Sequence, residues 1–272
     1  MALEHWQKHN SNYAVFQPGS QGAGDAGIVL GAKDGQATRH LWDDMRAALS
    51  MNNPAYVGFF DDFIGFAGGT AVPLGWTNNA TGTGTQVYGA LGSFGGVYTV
   101  TTGTTANDYE DYALAANFKS ENGWMFFTAK FTLSSVAAVT AEVGLTDALT
   151  ETGGLVFSDH SASGVTAVAD DAIVVAFEAA GDANYVVNSV AAGGTPQTLD
   201  LGTAPVASTY IQVDFAINSD GDAFIYLNDA YIGRLDVAVT PTVLLTPFFS
   251  VKTTTTAGKA ISVDWVGVTA SR

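Results

Sequence analysis

Trp124-Met125-Phe126-Phe127-Thr128-Ala129-Lys130-Phe131-Thr132-Leu133 is the stretch that decides the fold. Successive side chains of an extended chain point to opposite sides, so this segment sorts into two sets. Met125, Phe127, Ala129, Phe131 and Leu133 make one wholly apolar face. Trp124, Phe126, Thr128, Lys130 and Thr132 make the other. The same period recurs in Tyr210–Asn218, where Ile211, Val213, Phe215 and Ile217 read as inward and Tyr210, Gln212, Asp214, Ala216 and Asn218 as outward. In Lys259–Thr269 the inward set reads as Ile261, Val263 and Trp265, alternating with Ser262, Asp264 and Val266. A slip of one residue would expose each apolar set to water, so these strands have a fixed inner face.

Working outward, further strands are expected near 57–64, 85–91, 95–103, 111–118, 139–145, 153–158, 172–178, 184–190, 222–228, 230–237 and 245–252. Many short strands separated by turn residues indicate a sandwich or barrel. No helical segments alternate with them, so a parallel α/β sheet is not expected, and no fixed-period repeat suggests a propeller or solenoid. The first part of the chain differs. Residues 19–27 are rich in glycine and small residues and read as an extended arm. A helix is expected near 38–51, capped by Thr38, with Leu41, Trp42, Met45, Ala48 and Leu49 on one stripe and Asn52-Asn53-Pro54 stopping it. The helix packs on its own domain or serves to dock a partner. The organisation read from sequence is an arm with one short α-helix over residues 1–56 and a mainly β, antiparallel sandwich domain over 57–272.

The 272 residues include 47% hydrophobic and only 13% charged side chains, with 31 glycines and no cysteine. A chain of this size buries a substantial core and solvates its surface with Thr, Ser and Asn. Ten basic and 26 acidic residues leave a net charge of −16. Such a chain is repelled by nucleic acid and anionic membranes, so neither is expected as a partner. Disulfides and thiolate metal sites are excluded. The N-terminal residues lack a basic segment followed by an apolar run, so no secretory signal is expected. The apolar run Ile173–Phe177 is of strand length, far short of a bilayer span.

Ile217-Asn218-Ser219-Asp220-Gly221-Asp222-Ala223-Phe224-Ile225-Tyr226-Leu227-Asn228-Asp229-Ala230-Tyr231-Ile232-Gly233 reads as strand, Asp-Gly turn, strand, Asn-Asp turn, strand. It resembles the meander of concanavalin A-like (laminin G-type, lectin-like) domains, with Asp229 where glycine is usual. Phe60-Asp61-Asp62-Phe63, Gly75-Trp76, Glu142–Asp147, Gly154–Phe157 and Val263–Val268 add to the likeness, which covers roughly residues 58–269. It implies a jelly-roll sandwich with the first and last strands side by side. The Ala/Gly/Thr-rich texture and the arm resemble tailed-phage virion proteins. That resemblance implies a capsid decoration protein on the capsid exterior, docking through its arm on the major capsid lattice and on sister copies as a homo-oligomer. The alternative is a carbohydrate-binding module or a phage fibre or adhesion domain that holds a glycan.

Enzymatic activity, and hence any catalytic residue or bound organic cofactor, is not expected. Glycosidases of this fold resemble one another in a Glu-x-Asp-x-x-Glu strand, and none of Glu4, Glu110, Glu121, Glu142, Glu151 or Glu178 belongs to such a pattern. Glu110 and Asp111 are strand neighbours on opposite faces and read as a solvated edge. His5 and His9 have i, i+4 spacing without a third ligand, and His40 and His160 stand apart. No Gly-x-Ser-x-Gly elbow supports a triad, and the Gly-rich 82–96 stretch lacks the Lys-Ser/Thr of a phosphate cradle. Asn218, Asp220 and Asp222 resemble half a calcium loop but read as a hairpin turn. Lectin-type calcium remains open at Asp147, Asp159, Asp170 and Asp171. Asn79-Ala80-Thr81 matches a glycosylation sequon and reads as coincidental. Trp76, Tyr88 and Tyr98 are the aromatic candidates for stacking on sugar, with core packing as the competing role.

Overall fold

A computed structural model describes residues 56–63, 69–89, 96–115, 117–161, 164–181 and 183–272. The arm, the helix expected at 38–51 and His5, His9 and His40 lie outside the described residues.

Seventeen strands are described. The first eight are β1 (Tyr56–Asp61), β2 (Trp76–Thr81), β3 (Thr85–Tyr88), β4 (Tyr98–Thr101), β5 (Tyr109–Leu114), β6 (Met125–Leu133), β7 (Val139–Thr146) and β8 (Phe157–Ser161). Then come β9 (Gly164–Ala167), β10 (Ala172–Glu178), β11 (Val186–Val190), β12 (Gln197–Asp200) and β13 (Ile211–Ile217). The last four are β14 (Ala223–Leu227), β15 (Ala230–Leu235), β16 (Thr246–Thr253) and β17 (Ala260–Ser271). Sheet A runs β15-β14-β13-β6-β17-β4-β3, with β1 also on β17, and sheet B runs β12-β11-β10-β7-β16-β5-β2. Every pairing described is antiparallel, and β8–β9 is a separate hairpin. The two sheets stack on one hydrophobic core, as the alternation at Trp124–Leu133 requires.

Met125, Phe127, Ala129, Phe131 and Leu133 all enter that core, as do Ile211, Val213, Phe215 and Ile217. The expected neighbours β1 and β17 pair from Tyr56↔Ser271 to Asp61↔Val266. The Phe60–Phe63 motif gains a structural reason. The Asp61 carboxylate accepts the Phe63 amide at 2.8 Å and the Trp76 indole N–H at 3.0 Å. Phe63, which takes a left-handed φ of 50°, then stacks on Tyr98 at 5.7 Å, and Trp76 packs on Phe249 at 5.1 Å.

Four readings are corrected. Strands β2, β9 and β12 are not among those expected, because Trp-Thr-Asn-Asn-Ala-Thr, Gly-Val-Thr-Ala and Gln-Thr-Leu-Asp carry too few apolar residues to show a period. The segment expected as a strand at 153–158 begins instead with a tight turn at Thr152–Gly154, and Gly153 and Gly154 both take a positive φ that no strand residue adopts. Glu110 and Asp111 do point to opposite faces, but β5 lies between β16 and β2 and both carboxylates are buried, so they form no solvated edge. Trp265 does not face the core. The register of β17 on β6 shifts between Val263 and Trp265, and this bulge reverses the parity. Val266, Val268 and Ala270 enter the core and Trp265 emerges on the outer face of sheet A.

Candidate functional site

Each sheet has an outer face, and the two differ. Antiparallel register partners share a face, so one lateral row across sheet B reads Asn79, Asp111, Ser250, Glu142, Ala176, Val186. This row is roofed. Val156 and Phe157 pack on Ala113, Val174, Val186 and Phe248, with Val165 and Ala167 beside them. The buried Glu142 carboxylate fixes the roof by accepting the Val156 amide at 2.6 Å and the Phe157 amide at 2.8 Å. His160 Nε2 stands 3.2 Å from Glu142 Oε1. Along the same network, Thr198 donates to Asn188 Oδ1, and Asn188 Nδ2 lies 2.8 Å from His160 Nδ1. Asn188 Nδ2 therefore faces Nδ1 as a donor, while Nε2 makes no hydrogen bond among the described residues. Burial pushes Asp111 up to about 7 and Glu151 up to about 7. Asn79 donates to Asp111 Oδ2 at 2.9 Å and to the Glu151 carbonyl at 3.4 Å, so the side chain of the sequon is an internal strut.

The outer face of sheet A carries aromatic and polar side chains, of which Tyr210, Tyr231 and Phe60 are exposed while Thr128, Asp214 and Tyr226 are buried. Lys130 on β6 projects its ammonium between two rings, 4.5 Å from the centre of Trp265 and 5.3 Å from that of Tyr210. Asp264, the extra residue of the bulge, holds it at 2.8 Å. Gln212 sits beside Lys130 in register and donates to Asp214. Asp214 is buried, and loss of solvation pushes it up to about 6, with Thr128 and Gln212 opposing. The next row reads Tyr231, Tyr226, Asp214, Thr128, Gly267, Phe60. Its two ends are exposed aromatics, Tyr231 at 52% and Phe60 at 47%. Five strand spacings separate them, about 24 Å at the usual 4.8 Å per strand. Aromatic faces interleaved with amide, carboxylate and ammonium groups suit a ligand that is apolar on one side and hydrogen-bonding at its rim.

The candidates read from sequence fall elsewhere. Trp76 and Tyr98 are buried in the core and Tyr88 packs on Tyr98 at 5.0 Å, so these three do not form a sugar platform. Asp222 accepts from Arg234 at 2.7 Å, from the Val237 amide at 2.9 Å and from Asn218, which makes the half calcium loop a braced hairpin. Asp171 accepts the Thr240 and Ala192 amides. Asp147 lies near Asp170 and Asp171, its amide donating to the Asp171 carbonyl at 3.0 Å, but among the described residues no group of three or more His, Asp or Glu is placed to hold a metal ion. Sequence reading missed Trp265 as a surface residue, and the Asp-Trp pair interrupting the alternation of Val263 and Val266 was the signal that could have found it.

No protein-family model matches the sequence, and no curated protein matches it. Solved structures share the fold. A glycosyl hydrolase family protein from Mycobacterium fortuitum is 13% identical with a TM-score of 0.54, the match covering 77% of this chain and 98% of that one. Peanut lectin is 10% identical with a TM-score of 0.52, covering 79% and 97%. The carbohydrate recognition domain of Emp47p is 9% identical with a TM-score of 0.51, covering 78% and 93%. The chain has the lectin-like, concanavalin A-type sandwich. The expectation that it is not an enzyme is corrected: this sandwich is shared by a glycosyl hydrolase family protein as well as by lectins, so the fold gives no ground for excluding catalysis.

Proposed function

We propose that this chain is a carbohydrate-binding domain whose binding face is the outer surface of sheet A around Trp265, Lys130 and Tyr210. The observation that carries the reading is the bulge in β17, which turns Trp265 outward into register with Lys130 and Gln212. The C–H face of a pyranose ring packs on aromatic side chains, and its hydroxyls bond to carboxylates, amides and ammonium groups at the rim. Tyr210 and Trp265 supply the rings; Gln212, Asp264 and Lys130 supply the rim. A lectin and a carbohydrate recognition domain among the structural likenesses support this reading of the sandwich. The net charge of −16 favours neutral over anionic glycans. The capsid role implied by the phage-like texture rests on the arm and gains no support from these likenesses.

The test is a screen of the full chain against neutral and acidic oligosaccharides, followed by titration calorimetry on any binder. Trp265→Ala and Tyr210→Ala are each expected to weaken binding at least about tenfold, the worth of one stacking contact of about 1.4 kcal/mol. Unfolding midpoints measured in parallel show whether the variants remain folded. A chain that binds no glycan, or folded variants that bind as tightly as the parent, would overturn the proposal.

A further inference from the structure

The acids beneath the roof of sheet B have an arrangement that a purely structural role does not require. Asp111 is fully buried and its Oδ1 has no hydrogen-bond partner among the described residues, nor has the Oγ of Ser250 beside it in the row. Glu151, 5% exposed, closes the roof from the loop side by accepting from Thr146. Gly154 lies so close to β5 that an added Cβ would stand 2.1 Å from the Tyr109 ring. The stretch Glu151–Phe157 is therefore seated directly on the acid row.

The charges facing this cluster come from every packed element. Strand β5 contributes Glu110 from its other face, β7 contributes Glu142, and the loop before the Thr152–Gly154 turn contributes Asp147. Strand β8 contributes His160, whose backbone amide is taken by Glu178 of β10. Lys252 of β16 shares the face one register step away, opposite Tyr109 and Thr140, and forms no ion pair among the described residues. The Nδ1 of His160 faces the Asn188 side-chain amide at 2.8 Å. Glu142 accepts the Val156 and Phe157 amides, and among the described residues neither Asp111 nor Glu151 forms an ion pair.

We propose that Asp111 and Glu151, seated beside Glu142, form a pH-sensitive latch that holds the Glu151–Phe157 segment on sheet B and loosens it as the pH rises toward neutrality. In the latched state at least one of the two carries a proton, which removes the repulsion and supplies a donor to the unpartnered oxygens. Freed into water, each carboxyl returns to the ordinary range near 4. Both groups have raised pKa values when buried, so their contribution to latching is complete below about pH 4 and is lost as the pH climbs to about 7. The loosened state would expose the Asp111–Ser250–Glu142 row on the sheet face.

The experiment is hydrogen–deuterium exchange of the full chain, read on peptides covering residues 151–157, from pH 5 to 8 and corrected for the intrinsic base-catalysed rate. The corrected opening equilibrium is expected to rise at least about tenfold across that range. In Asp111→Asn/Glu151→Gln it is expected to stay flat while peptides from β6 behave as in the parent. A parent with pH-independent protection, or a variant with the same pH dependence, overturns the latch. If the double variant does not fold, carboxyl carbon NMR of the parent decides: at least one of the two groups titrating above about 6 supports the proposal, and both titrating below about 6 overturns it.

Discussion

Glu142→Ala should be among the most damaging single changes in sheet B. The side chain is 0% exposed, and its two oxygens accept the Val156 amide at 2.6 Å and the Phe157 amide at 2.8 Å, with His160 Nε2 at 3.2 Å. Removing it leaves two buried backbone donors, the Val156 and Phe157 amides, without an acceptor. Each orphaned buried donor costs about 1–3 kcal/mol. Removing a buried carboxylate also recovers part of its desolvation cost, so a net loss of about 3–5 kcal/mol follows. For a domain of this size that corresponds to a fall in the unfolding midpoint on the order of 10 °C. Glu142→Gln keeps one carbonyl acceptor and turns an N–H toward the other amide, so it should lose about half as much. Urea denaturation with the slope held common to all three proteins measures the difference. Exchange at the Val156 and Phe157 amides should rise in the same order. A loss below about 1 kcal/mol for Glu142→Ala, or equal losses for the two variants, would refute the assignment of Glu142 as the acceptor that fastens the roof.

Two further outcomes follow from backbone geometry. A Cβ at Gly144 would stand 2.2 Å from the Ile173 carbonyl oxygen and 2.6 Å from the Val174 Cα, so Gly144→Ala should cost about 3 kcal/mol by chemical denaturation, because backbone cannot step aside as a side chain can. Asn228 and Asp229 take φ of 47° and 66° in the β14–β15 turn, so Asp229→Gly should stabilise the domain by up to about 1 kcal/mol, read as a higher thermal midpoint.

The physics of alternation made most of the sandwich legible. Strand β6 could be read from Trp124–Leu133 because a half-buried strand must place every second side chain in the core. The β13–β15 meander could be read because Asp220-Gly221 and Asn228-Asp229 tolerate the φ values that tight turns demand. Strands with mixed composition, such as β2 and β12, have no period to read. Their pairing with β5 and β11 depends on partners distant in the chain.

The candidate site was legible only in part, for two reasons that particular residues show. At Trp265 the inward assignment failed because a bulge is a property of two paired strands, and one strand's pattern does not contain its partner. At Glu110 and Asp111 the opposite-face geometry was correct but the solvation was not, because β2 pairs along one side of β5 and the Glu151–Phe157 segment lies over the Asp111 face. The sequence by itself determined the sheets, the inner faces and the principal turns, because local sterics and the burial of apolar side chains act residue by residue. Tertiary structure alone decided which outer face is roofed, which aromatics reach solvent and where carboxylates meet, because those depend on segments brought together only by folding.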